Sequence, residues 1–511
     1  MNATPAFDAF ARGYAAGQAQ VVVQRLVDDL ETPVSAYLKV AHGLPYSFLF
    51  ESVEGGTWRG RYSALVMAPD LVWRCRGDVA EIAEGDDIAA GRFHRDGDGA
   101  LESLRDLVAS SRLDLPPGLP PMGAGVFGVM GYDTVRLAER LPGINPDPLN
   151  LPDGVLMRPS IVAIFDGVAH EIILVATVRP SAGQTPDDAY AAAMTRIETV
   201  TAALRKPLPP RGPHPAPPVD DWSTPAGPTG YGAMVEKAKE YIRAGDVFQV
   251  VPSHRFRRSF PLDPFSCYRA LRRTNPSPFL FFLNFPDFQL VGSSPEILVR
   301  LRDGKITIRP LAGTRPRGKT PEEDARLEGE LIADPKEHAE HLMLLDLGRN
   351  DVGRVAMLKS AGANELPAAR RAPRVRVTAS FFVERYSHVM HLVSNVEGDA
   401  PEGLDPVDVL MAALPAGTLS GAPKVRAMEI IDELETDKRG VGYAGAVGYF
   451  GADGSVDTCI VLRTALFKGG MMYVQAGGGI VADSDPVAEY EETVAKASAL
   501  RVAANEAWRF A

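Results

Sequence analysis

The sequence predicts an α+β protein with largely antiparallel sheets. β-rich apolar runs end in turn residues, helical periods fall between them without strict alternation, and several neighbouring runs are spaced as hairpins. In chain order, SIVAIFDG (160–167) is a strand closed by Asp-Gly. KPLPPRGPHPAPPV (206–219) has seven prolines in 14 residues and is extended by composition. It divides the chain into an N-terminal domain, 1–205, a linker, 206–224, and a C-terminal domain, 225–511. YGAMVEKAKEYIRAGD (231–246) carries apolar residues at helical spacing and stops at Gly-Asp. FLFFLNF (279–285) and MHLVSNVEG (390–398) are strands, PKVRAMEIIDELE (423–435) is a helix, AVGYFG (446–451) is a strand, and the last 25 residues form a helix.

Composition narrows the function classes. The 511 residues are 45% hydrophobic and 23% charged, with a net charge of −11 and no long basic run. That points away from nucleic acid. Cys75, Cys267 and Cys459 are far apart and form no CxxC, so a reducing cytoplasm is expected rather than a disulfide framework. No apolar run reaches the roughly 18 residues of a membrane span. The stretch MNATPAFDAFARGYAAG lacks the apolar core of a secretion signal.

One stretch raises the possibility of a metal. DPKEHAEHLMLLDLGRND (334–351) starts a helix with Asp-Pro and holds Glu337, His338, Glu340 and His341. Glu337 occupies the capping-box position, which gives it an ordinary reading. Glu340 has no such role, and LMLLDL behind it is apolar almost all round, so its carboxylate needs a partner. HExxH and ExxH are both absent, which removes the zinc-protease and di-iron readings. Glutamates three apart are oxygen donors for Mg²⁺ or Mn²⁺. DSDPVAEYEETVAKASAL (483–500) repeats the arrangement: Asp-Pro, then Glu489 and Glu492. Its ordinary reading is a solvated face with a Glu492–Lys496 pair. Two matching pairs together suggest a four-carboxylate site between helices.

Anion-binding elements lie around these helices. LPAGTLSGAPK (414–424) leads into a helix, RPLAGTRPRGK (309–319) holds four cations, and VQAGGGIV (474–481) is a strand interrupted by glycines whose N–H groups could face a carboxylate. IVLRTAL (460–466) places Arg463 alone in an apolar strand, where it needs a carboxylate.

In this order PLAGTRPRG, KEHAEHLMLLDLGRND, RYSHVMHLVSNVEG, LPAGTLSGAPKVRAMEII, YAGAVGYFGADGSVDTCIVLRTA and VQAGGGIVADSDPVAEYEET resemble the chorismate-utilising enzymes, most of all the large subunits of anthranilate synthases. FLFESVEGGTWRGRYS (48–63) and GVFGVMGYDTVRLAE (125–139) extend the likeness over nearly the whole chain. The resemblance implies a four-layer α/β/β/α fold with two orthogonally packed sheets. It implies Mg²⁺ bound directly by Glu340 and Glu492 and through water by Glu337 and Glu489, with His338 and His341 as packing. Arg463 and Tyr443 would hold the enolpyruvyl carboxylate, and the glycine run Gly477, Gly478 and Gly479 would cradle a carboxylate. Thr314 and Thr418 would line the pocket, and His391 would assist loss of the ring hydroxyl or the later elimination. Gln249 stands where water-adding relatives carry a lysine base, and Ala312 where para-aminating relatives carry a lysine nucleophile. Amination to anthranilate is therefore expected, with aminodeoxychorismate synthase or isochorismate synthase as alternatives, and a decayed, non-catalytic subunit as a further one. No cysteine sits in a glutaminase turn, so a separate amidotransferase subunit would supply ammonia and the assembly would be hetero-oligomeric. Glu51, Ser52, Pro278, Phe279 and Leu280 would form a tryptophan feedback site. The arginine-rich stretch 361–380 departs from the familiar pattern.

Overall fold

The structure is a computed structural model that describes residues 3–52, 60–143, 145–210, 212, 215–217, 219–357, 375–385 and 389–511. Of the stretch 361–380, only 375–380 are among them, and these enter the strand Arg376–Arg385. These expected elements are present, with ends that shift by up to six residues, as where the strand expected from 160 begins at Gly154. The helices span Gly227–Ala244, Lys424–Leu434 and Pro486–Glu506. The strands span Gly154–Asp166, Phe279–Asn284, Val389–Asp399 and Ala446–Gly451.

Two long strands, Tyr62–Arg76 and Gly154–Asp166, organise the sheets. They pair antiparallel along their length, with a register shift between Pro69 and Leu71. Pro69 faces Pro159 there, and Ala68 has φ 51. Neither proline has an N–H for the ladder, so the strand pair can break and bend at that point. One end of the pair continues through Ser47–Glu51, Phe279–Asn284, Gln289–Ser294, Thr464–Lys468 and Met471–Gly477 to Ser253–Ser259. The other end continues through Gly125–Met130, Ala446–Gly451, Val456–Ile460, Ile297–Arg302 and Lys305–Ile308 to Val389–Asp399. Every one of these pairings is antiparallel. Strands from either side of 206–224 are thus hydrogen-bonded to each other at two places.

Three apolar cores separate the layers. Phe48, Val66, Phe281 and Leu283 from one sheet meet Phe127, Met157, Val447 and Val461 from the other. The outer face of the first sheet packs on helices that include Pro186–Leu204, Pro264–Thr274 and Pro486–Glu506. The outer face of the second packs on Ala100–Ser110, Pro335–Ala356 and Pro406–Ala413. The order is helix, sheet, sheet, helix. The glutamate-bearing helix Pro486–Glu506 packs in the first of these outer cores and Pro335–Ala356 in the second.

Candidate active site

Each glutamate-bearing helix is started by its own aspartate. Asp334 accepts the N–H groups of Lys336 and Glu337, and Asp485 those of Val487 and Ala488. Asp334 thus supplies the cap, and the Glu337 carboxylate takes an Arg315 N–H at 2.9 Å instead of closing a capping box. On the second helix the buried stripe runs through Thr493, Ala497 and Leu500, and Val487 in the first turn is exposed. Glu489 accepts the Ser484 hydroxyl at 2.7 Å. Glu492 is paired with Lys496 at 2.7 Å, and Lys496 also donates to the Gly477 carbonyl at 3.0 Å.

A cavity of about 890 Å³ opens between these helices. Glu337, Glu340, Glu489 and Glu492 line it, together with Thr314, Thr418, His391, Tyr443, Arg463, Gly477 and Gly479. Burial raises the Glu340 pKa, and the nearby Glu337 and Glu492 carboxylates add to the rise. Burial also raises Glu489, against the Ser484 hydroxyl and with the Glu492 charge. Like charges are thus held together in partly desolvated positions, which favours a cation among them.

The histidines of the first helix face elsewhere. His338 stacks on Phe381, ring centroids 4.3 Å apart, and buried His341 has Nε2 2.6 Å from Ser394 Oγ.

His391 is different. It lies opposite Thr314 on paired strands, and its Nδ1 is 3.0 Å from both the Thr314 hydroxyl and the Gly313 carbonyl. A carbonyl only accepts, so Nδ1 carries the proton and Nε2 the lone pair. Burial pushes the imidazole pKa down to about 4, so the ring is neutral at physiological pH.

Arg463 is not within a strand. It sits in the connection between Val456–Ile460 and Thr464–Lys468 with φ 49, a left-handed conformation that costs a side-chain-bearing residue energy. Among the described residues its guanidinium has no carboxylate partner, and desolvation lowers its pKa. The strain is retained where the cation faces the cavity. The glycine run is held just as tightly. A Cβ on Gly477 would lie 2.4 Å from the Pro252 carbonyl, and one on Gly478 2.7 Å from Glu489. The Gly478 N–H is already donated to the Tyr231 hydroxyl at 3.0 Å, so it is not available to a ligand, and Gly478 does not line the cavity.

A model of the chorismate binding enzymes matches residues 70–502. The chain belongs to this family. It is 55% identical to the anthranilate synthase component 1 of Cereibacter sphaeroides, covering 99% of this chain and 98% of that one. It is 47% identical to the component 1 of Pseudomonas putida, over 92% of each. The solved anthranilate synthase component I of Streptococcus pneumoniae superposes with a TM-score of 0.71 at 35% identity, covering 94% of this chain and 99% of that one. The menaquinone-specific isochorismate synthase of Escherichia coli shares the fold, with a TM-score of 0.68 at 20% identity, covering 98% of this chain and 99% of that one.

Within this chorismate binding enzyme, Gln249 and Ala312 both line the cavity. One cavity residue escaped the sequence reading: Glu296, 8% exposed, whose carboxylate accepts the Thr418 hydroxyl at 3.3 Å. Burial raises its pKa to about 8. Its signal in the sequence was a lone acid in the apolar run VGSSPEILVRL. Away from the cavity, Glu51 and Leu280 are cross-strand partners, with Ser52 directly after Glu51 and Pro278 and Phe279 directly before Leu280. The Glu51 carboxylate accepts Tyr268 at 2.5 Å and Arg272 at 2.9 Å. Residues 53–56 of FESVEGG lie outside the described residues.

Proposed function

We propose that this chain is the chorismate-binding component of an anthranilate synthase: ammonia aminates chorismate ortho to its carboxylate, the ring hydroxyl leaves, and pyruvate is eliminated. The observation that carries the reading is a strained Arg463, which has no carboxylate partner among the described residues, in one cavity with opposed carboxylates. A dicarboxylate substrate needs both, one carboxylate on a cation of the protein and one on a bound cation. The likeness to the Cereibacter and Pseudomonas proteins supports the choice among chorismate reactions.

The residues divide the proton work by pKa. Glu296, held protonated to about pH 8, gives its proton to the departing hydroxyl, which leaves as water. His391, neutral with its lone pair on Nε2, takes the proton from the aminated ring carbon as the enolpyruvyl C–O bond breaks, and the enolpyruvate that leaves gains a proton from solvent to become pyruvate. Arg463 and Tyr443 hold the enolpyruvyl carboxylate, and the Gly477 and Gly479 backbone bounds the site. Mg²⁺ suits the donor set: all four donors are carboxylate oxygens, and two of them, Glu340 and Glu489, have raised pKa values. Among the described residues no three His, Cys, Asp or Glu side chains close into a metal cage. Glu340 and Glu492 would hold Mg²⁺, in competition with Lys496, and Glu337 and Glu489 would act through water. The bound ion would polarise the substrate carboxylate.

A separate amidotransferase subunit delivers the ammonia, tryptophan bound near Glu51, Ser52, Pro278, Phe279 and Leu280 inhibits, and the assembly works in the cytoplasm. The test uses the purified chain with chorismate, Mg²⁺ and excess ammonium at alkaline pH. Anthranilate fluorescence and pyruvate should appear together, and both should vanish with EDTA and in Glu340→Gln. Isochorismate or a para-aminated ring in their place overturns the reading.

A further inference from the structure

One buried ion pair ties the walls of the cavity together. Glu435, at the end of the helix Lys424–Leu434, and Arg439 are 6% and 4% exposed. The Arg439 Nε reaches both Glu435 oxygens, at 3.1 and 3.0 Å. Its remaining nitrogens donate to the carbonyls of Leu419, at 2.8 Å, and Val251, at 2.7 Å. Its guanidinium lies 5.3 Å from the Tyr443 ring centroid. Glu435 accepts the N–H and the hydroxyl of Ser253, both at 2.8 Å, and the Ser253 hydroxyl in turn accepts the Gln475 amide at 2.8 Å.

Every group at the far end of these bonds belongs to the cavity wall. Leu419 follows Thr418, Val251 lines the cavity two residues after Gln249, and Gln475 lies on the strand that ends at Gly477. A fully buried pair like this costs desolvation energy, and a packed apolar pair would stabilise a fold as well. What an apolar pair could not do is hold the Leu419 and Val251 segments through the planar arginine fork and Ser253 through the carboxylate, all in one register.

We propose that Arg439 and Glu435 are positioning residues that hold the substrate-carboxylate side of the cavity in its binding geometry. This rests on the chorismate reading above. The walls they hold carry Tyr443, Gly477 and Thr418, whose one link to the acid Glu296 is a 3.3 Å hydrogen bond, whereas Glu296, His391 and Glu340 stand on elements that neither residue bonds. Disturbing the pair therefore weakens substrate binding more than the chemical step.

The experiment compares wild type, Arg439→Lys and Ser253→Ala for chorismate KM and kcat with ammonium, for chorismate affinity by titration calorimetry, and for Tm. A merely structural role reduces the fraction of folded enzyme, lowering kcat and leaving KM unchanged. The positioning role raises KM and the calorimetric Kd together, by about tenfold for Arg439→Lys and about threefold for Ser253→Ala, with kcat within about threefold. Unchanged KM and Kd in Ser253→Ala overturn the proposal if Arg439→Lys does not fold, and unchanged values in both overturn it outright. Wild type that binds chorismate without making anthranilate would refute the functional reading alone, and the Kd comparison would still decide the positioning role.

Discussion

Replacing Glu296 by glutamine separates what this residue does for the fold from what it does for the reaction. Glutamine has nearly the same shape and can still accept the Thr418 hydroxyl, but it has no acidic proton. Burial raises the carboxyl from 4.5 to about 8, which corresponds to roughly 5 kcal/mol between its two protonation states. The folded chain therefore holds this proton more tightly than the unfolded chain. The resulting stability is complete below pH 4.5 and is lost as the pH rises to about 8. Glutamine never ionises, so Glu296→Gln should gain on wild type across that window, by at most roughly 5 kcal/mol at the upper end. Urea midpoints of both proteins at pH 5 and pH 8 measure the difference. The same variant should lose about 10²- to 10⁴-fold in kcat, the contribution of one positioned acid. In wild type, kcat should fall above about pH 8, as the acid form disappears. Parallel stability curves for the two proteins would show that burial does not keep Glu296 neutral. A kcat within about tenfold of wild type would remove it as the acid even if the stability prediction held.

Arg463→Lys keeps the charge and loses the planar fork, so chorismate KM should rise by about 10- to 100-fold, the loss expected for a charged, two-pronged hydrogen bond. Steady-state kinetics with ammonium measure it, and an unchanged KM would place the enolpyruvyl carboxylate elsewhere. Ser52→Phe should abolish tryptophan inhibition while leaving ammonium-dependent turnover intact, because Ser52 lies outside the cavity lining. An inhibition curve that matches wild type would rule out the site around Glu51 and Leu280.

What could be read from the sequence, and what could not, follows from how local each feature is. The caps at Asp334 and Asp485 are settled by the two or three residues after them, and so were plain in Asp-Pro. The paired glutamates were visible because helical spacing puts residues three apart on one face. The facing of Pro69 and Pro159, where the central strand ladder shifts register, depends on a pairing between segments far apart in the chain. Glu296 becomes an acid of raised pKa only when it is buried beside Thr418, 122 residues away. Arg463 shows both sides of the matter. A lone arginine among apolar residues announced a missing anion. The apolar pattern of IVLRTAL also announced a strand, and there the backbone took a left-handed turn instead. Strand propensity measures how a residue fits a half-buried pleated surface, and a cation aimed into a cavity is not on such a surface. The local rule failed at a residue whose cationic side chain faces a cavity rather than a packed neighbour, so the departure from strand structure coincides with the cavity wall.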